Sequence, residues 1–416
     1  MKSTQFLTVC VTNQGTGMTN RRTWLLGLLM GGALAMAGHQ GAQAAEWSVE
    51  PSMSVKGEYH SNLLLAFGPQ QSTYAHWLSP AVRFTGATEA LQVSSRLAAD
   101  HAQYYGGRDT TIVNVYFPLS VRYRDQRSTW GFNGGLTRDN TLRSELLQTG
   151  VVLAFAQRNL WSAGPSWTYN LTERVSAESS YQYQHAGYEN AGLQFGLIGY
   201  EVHTASETLS YNVRDTDTIQ ITGLFTRFLA PERNDMVSDT TGVQLGGTHA
   251  FSEHVTLSAF GGPRFIGNRI NTGSQSLGDH STVWVFKGKL ARKFERANVS
   301  LDIGRDIFPS GLGLLIRTDH LSATAGYELT DQLSVSLSGQ ASIVNPVVSS
   351  ALFGPSRETR FFHLGPQINW RVDEYWNVET GYTYSRRELE GESQSGESHA
   401  VRFMVTYFPT KFSMSR

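Results

Sequence analysis

Cysteine is almost missing from this chain: among 416 residues there is one, Cys10. A disulfide framework and a thiolate metal centre are therefore excluded. An excess of one charge is missing too, with 34 Lys and Arg against 35 Asp and Glu. That balance gives no electrostatic case for a nucleic-acid partner. Helical periodicity is scarce, and no segment beyond the first 44 residues has the ~20 apolar residues a membrane helix needs. No pattern calls for a cofactor.

The N-terminus reads as a leader. Arg21-Arg22 precede the apolar run "WLLGLLMGGALAMA" (Trp24–Ala37), which ends at the small-x-small site Ala42-Gln43-Ala44. A positive n-region, a short h-region and such a site make a secretory signal peptide over residues 1–44. Met18, three residues before Arg21, is the expected true start. "RRTWL" also resembles a twin-arginine signal, but that route carries folded cargo, whereas a barrel must cross the inner membrane unfolded. The expected mature domain is 45–416.

What the chain has instead is alternation. In "GPSWTYNLTERVSAESSYQYQ" (Gly164–Gln184), Pro165, Trp167, Tyr169 and Leu171 alternate with Gly164, Ser166, Thr168 and Asn170. Beyond Thr172-Glu173-Arg174 the pattern resumes at Val175, Ala177, Tyr181 and Tyr183. The same period recurs at Trp47–Tyr59, Val113–Tyr123, Leu364–Val372 and Val401–Tyr407. A period of two marks strands with one apolar and one polar face.

Two kinds of connection join these strands. Short polar turns occur at "TERV" (172), "RDTDT" (214), "SEHV" (252), "FERAN" (294), "TDQL" (330) and "DEYW" (373). Longer links include "LAPERNDMVSD", "GNRINTGSQSLGDH", "NPVVSSALFGPSRE" and "RELEGESQSGES". One short end and one long end is the asymmetry of an outer-membrane barrel. The expectation is all-β: a single antiparallel transmembrane β-barrel of about 18 strands, with short periplasmic turns and long outer loops. The stretch 139–160 reads as an extended loop, a constriction folded into the lumen, or an extra hairpin. Gly164-Pro165 and Gly365-Pro366 head two similar hairpins, without a repeat period.

A soluble sandwich also alternates, but its inner faces are filled by Val, Ile and Leu. Here Phe84, Tyr123, Trp130, Tyr169, Phe251, Trp370 and Trp376 fall near the short turns. Rings with a polar tip suit the headgroup level of a bilayer. Pro80, Pro118, Pro165 and Pro366 lie within strands and each removes a ladder donor, which bulges would accommodate. Phe412 is set back from the C-terminus by Ser413–Arg416.

"EYHSNLLL" (Glu58–Leu65), "RDNTLRSEL" (Arg138–Leu146) with Thr149-Gly150, "PSWTY" and "LTER" resemble the beta-barrel porin-2 group. That resemblance implies an outer-membrane barrel accompanying exopolysaccharide synthesis and export in Gram-negative bacteria, with no catalytic residues. Its implied partners are outer-membrane lipid, the barrel assembly machinery, periplasmic polysaccharide export proteins and polysaccharide.

Three Asp-His dipeptides, Asp100-His101, Asp279-His280 and Asp319-His320, raise a rim-active hydrolase, the latter two lying in outer links. Neighbours on a strand point to opposite faces, so a dipeptide is not a dyad. "GESQSGES" (Gly391–Ser398) lacks the strand-to-helix context of a nucleophile elbow. Glu232–Asp239 reads as a solvated loop rather than a Ca²⁺ site. By parity the lumen-lining candidates are Arg83, Arg96, Asp100, Arg122, Glu178, Arg264, Asp302, Arg371, Glu379 and Arg402. Glu50, Glu58 and Glu207 join them. A mixed lining gives hydrogen bonds to neutral polar solutes rather than a one-sign filter. The functional expectation is an exopolysaccharide conduit, with a general diffusion porin as the alternative and the hydrolase as a third.

Overall fold

The computed structural model describes residues 45–106, 109–142, 156–189, 196–271, 276–347 and 357–415. In chain order the strands begin with β1 (Glu46–His60), β2 (Thr73–Ala87), β3 (Leu91–Tyr105), β4 (Thr110–Arg124), β5 (Ser128–Asn140) and β6 (Gln157–Asn170). Next come β7 (Val175–Glu189), β8 (Tyr200–Arg214), β9 (Asp217–Ala230), β10 (Met236–Ser252), β11 (Val255–Asn271) and β12 (Ser276–Lys293). The rest are β13 (Ala297–Ser310), β14 (Leu314–Glu328), β15 (Leu333–Pro346), β16 (Thr359–Arg371), β17 (Trp376–Leu389), β18 (Gly396–Tyr407) and the short β19 (Phe412–Ser415). Every neighbour is antiparallel. The sheet closes because β1 pairs with β2 on one side and with β18 and β19 on the other. Closure leaves no free sheet edge at the seam.

β18 and β19 are one strand interrupted at Pro409. Met53 faces Tyr407 and Val49 faces Phe412, so three residues of β1 span four of the partner. This bulge flips parity: Tyr407 and Phe403 point outward before it, Phe412 and Met414 after it. The barrel thus has 18 strands, and the residues that set Phe412 back from the C-terminus, Ser413–Ser415, continue the last strand against Ser48–Glu46 of β1.

The short turns close as their sequences predict. Thr172 Oγ1 accepts from the backbone N–H groups of Arg174 and Val175 at 3.2 and 3.0 Å. Thr330 does the same for Gln332 and Leu333, and Asp373 Oδ1 for Tyr375 and Trp376. A side-chain oxygen that mimics a backbone acceptor is why Thr and Asp start these turns.

Three expectations need correction. First, the in-strand prolines make no bulges. The β6–β7 ladder skips the rungs of Gly164 and Pro165 and resumes in the same register, as do the ladders beside Pro80, Pro118 and Pro366. A missing donor removes a rung without inserting a residue. Second, several predicted loops are strand. The β11–β12 link is only 272–275 and the β9–β10 link only 231–235, because those hairpins run on past the apolar belt. Third, Glu207 faces out. It shares its face with Leu209 and Tyr211, 45% and 44% exposed, and its carboxylate accepts from Ser179 Oγ at 2.5 Å. Apart from Val202 and Ala205, strand β8 carries polar residues on both faces through Glu201–Glu207, so local alternation could not assign its parity.

Two consequences are measurable. An intact 18-strand barrel is expected to migrate faster on gels before boiling than after, with a β-rich circular dichroism spectrum in detergent. A helical spectrum would refute the fold. Glu207→Leu is expected to raise the denaturant midpoint of the bilayer-inserted barrel, because it removes a lipid-facing carboxylate from mid-strand. An unchanged or lower midpoint would place that position out of contact with lipid.

Candidate functional site: the barrel interior

The outer face of the wall is apolar: Val55, Leu97, Ile221, Leu245, Phe265, Trp284, Ile303, Ile368 and Phe403 stand exposed on it. Positions of opposite parity face inward. By that criterion all ten predicted lumen-lining residues (Arg83, Arg96, Asp100, Arg122, Glu178, Arg264, Asp302, Arg371, Glu379 and Arg402) lie on the interior face. Glu50 and Glu58 join them. Parity on β12, read from Trp284 and Phe286, adds Lys287 and Lys289, which sequence reading missed although the same alternation carries them. Lys56 is a second omission. It pairs with Glu58 at 2.7 Å and lies 3.9 Å from the Trp77 ring, an aromatic that faces inward.

Charge along the interior is mixed but unevenly paired. Arg402 meets Glu379 at 2.9 Å and Lys411 meets Glu50 at 3.0 Å. On β2–β4 the balance tips: Arg83 and Arg96 are direct cross-strand partners, and Arg122 projects from the next strand. No ion pair ties up any of these three among the described residues. Like charges directly opposite are destabilising unless solvent or a solute screens them.

The interior has two zones along its axis. Toward the short turns, inward side chains such as Arg122, Lys287 and Lys289 are exposed. Toward the long loops they are packed: Phe228, Ala230, Met236, Ile266 and Ile270 are at most 3% exposed. Links fold in to fill this outer third. Ile198, from the β7–β8 link, donates its N–H to the Gly311 carbonyl at 2.7 Å and joins that cluster. Leu65 from the β1–β2 link packs on inward-facing Phe361 of β16, and Leu142 packs against the same cluster. Of the 139–160 stretch, Asp139 and Asn140 end β5 and Gln157–Leu160 start β6; residues 143–155 lie outside the described residues. Asp139 and Arg158 form a buried bidentate pair, both bonds 2.9 Å, with side chains 6% and 9% exposed.

The Asp-His dipeptides do not form dyads. Asp279-His280 and Asp319-His320 lie within β12 and β14 rather than in loops, so each splits across the wall. His320 instead reaches Asp302 on the neighbouring strand, Nε2 to Oδ1 3.0 Å. Asp319 pairs on the outer face with Arg305. Asp239, counted above in a possible calcium loop, is held by Arg227 at 2.7 Å and Arg269 at 3.4 Å.

No family model matches the chain and no curated protein matches it, so the porin-2 resemblance stands on its short motifs. Solved barrels do align with it. OccK5 (OpdH) of Pseudomonas aeruginosa is 9% identical, with 88% of this chain and 98% of that one covered and a TM-score of 0.45. OprD of the same organism is 7% identical, covering 88% and 95%, TM-score 0.43. OccAB3 of Acinetobacter baumannii is 10% identical, covering 88% and 99%, TM-score 0.42.

Proposed function

We propose that the chain is an outer-membrane diffusion channel for small polar solutes, delivered by its 1–44 leader and inserted as a single barrel. The observation that carries this reading is the division of the wall: apolar residues outward, and Arg, Lys, Glu, Ser and Gln inward, around a closed sheet. Lipid demands the first, water the second, and closure satisfies the backbone. The packed outer third is the selecting element, since a constriction with fixed polar groups sorts solutes by size and charge.

A diffusion channel replaces the polysaccharide conduit as the leading reading. The conduit rests on the short motifs and on a mixed, hydrogen-bonding lining that serves small polar solutes equally well, and Leu65 and Ile198, folded in from the β1–β2 and β7–β8 links, narrow the outer mouth where a polymer would have to leave. Reconstitution into planar bilayers tests the proposal: stepwise conductance is expected, and its absence from folded, heat-modifiable protein would refute it. The double variant Arg83→Glu/Arg96→Glu is expected to shift permeability toward cations. A unit charge at ~4 Å in water is worth about 1 kcal/mol, roughly fivefold per charge. An unchanged reversal potential would remove β2–β4 from the conduction path.

A further inference from the structure

The wall is not evenly sealed. Paired residues between β12 and β13 run from Lys293–Asn298 to Phe286–Arg305 and stop there. Yet β12 extends back to Ser276, paired all the way with β11, and β13 runs on to Ser310, paired all the way with β14. Among the described residues, the outer half of β12 therefore has no strand on its β13 side. The cause is the β13–β14 tip, which leans over the interior. Gly311 accepts from Ile198, and Gly313, at φ +70°, packs against Ile198 and Arg233 of the β9–β10 turn. Leaning in buries Leu315 to 3%, although its parity is outward, and leaves Phe308 43% exposed, although its parity is inward.

Behind the slot is a cavity of about 350 Å³. Its lining changes character with depth. At the slot it is Val285, Ile307, Phe308, Pro309 and Leu315. Farther in it is mixed, with Gln182, Gln184, Thr240, Arg264 and Asp306 beside Val202 and Leu224. Thr240 is only 5% exposed and its Oγ1 has no hydrogen-bond partner among the described residues. Arg264, 8% exposed, spends its Nη groups on Gln244 at 3.0 Å and on the Val243 and Pro263 carbonyls at 3.3 and 3.4 Å. A buried hydroxyl without a partner costs free energy until something bonds it. Outside, Trp284, Phe286 and Ile303 flank the slot on the lipid-facing wall.

We propose that the β12–β13 slot is a lateral entrance for a single-chain amphiphile. Its polar head is hydrogen-bonded by Thr240 and the Gln182/Gln184 amides beside the Arg264 guanidinium, and its hydrocarbon chain lies in the slot against Val285, Phe308 and Leu315. Paired strands sit ~4.8 Å apart, and opening one ladder makes room for a chain of that order of width. The slot opens at the upper edge of the apolar belt, with Trp284 and Arg305 outward at its base and Thr282 and His280 outward above it, and an amphiphile seated at that boundary covers the unpaired edge.

The test uses 11-(dansylamino)undecanoic acid with the whole barrel held in amphipol, where no detergent competes. Saturable fluorescence enhancement, one probe per barrel, is expected. Val285→Trp fills the slot and is expected to weaken binding at least tenfold, while Thr240→Val weakens it several-fold. Val113→Trp, on the outer wall of β4, leaves it unchanged. Heat-modifiable mobility of each variant establishes that it has folded, and conductance of Val285→Trp in bilayers separates this site from the diffusion reading. No saturable binding, or binding that survives Val285→Trp, overturns the lateral site. Binding that survives Thr240→Val overturns the placement of the head.

Discussion

Asp139→Ala is expected to cost the barrel about 3–5 kcal/mol, the loss typical when one partner of a buried ion pair is removed. Arg158 is then left with a guanidinium that water does not reach, at the junction where the chain leaves β5 and re-enters at β6. Among the described residues both of its hydrogen bonds go to that one carboxylate. The measurement is the urea midpoint of the folded barrel in lipid, read by the heat-modifiable gel shift. The double variant Asp139→Ala/Arg158→Leu is expected to recover most of the loss, because the stranded charge is gone. A single variant within 1 kcal/mol of the parent would mean that water enters the pair, contrary to its burial.

Leu245→Arg is expected to obstruct assembly by about 2–4 kcal/mol, the cost of a cation near the bilayer midplane on a barrel's lipid face. Leu245 is 60% exposed in the middle of β10, flanked on its own face by Val243 and Gly247. Trp167→Arg is a milder case. Trp167 lies two outward positions from the end of β6 and stacks on Trp130 at 5.5 Å, so the interfacial cost of 0–1 kcal/mol applies. Losing the stack adds about 0.5–1.5 kcal/mol. Arg371→Ala, on the interior face, is expected to leave refolding yield unchanged and alter conductance only. If Leu245→Arg folds normally while Arg371→Ala fails to fold, inside and outside are reversed.

How much was legible beforehand differs by feature. The strands of β6, β16 and β18 were readable because Trp, Pro, Ile and Phe stand at every second position against Ser, Asn and Arg. Turns were readable because Thr172, Thr330 and Asp373 carry the oxygen that closes them. Glu207 was not, since β8 carries Glu and His outward and Thr inward, and hydropathy cannot separate two polar faces. Lys287 and Lys289 were readable but overlooked: the apolar Trp284, Phe286 and Leu290 mark their parity.

The sequence by itself determined the alternation, hence the two faces of every strand with a distinct apolar side, because a strand's period of two is a property of the backbone alone. It also determined the chain-order neighbours, since short polar turns force consecutive strands together. Only the tertiary structure decided what fills the interior. The meeting of Leu65 with Phe361, of Ile198 with Gly311, and the departure of the β13–β14 tip from β12 join residues far apart in the chain. No local pattern encodes such contacts, because they depend on which links, once the barrel has closed, are long and apolar enough to fold back inside it.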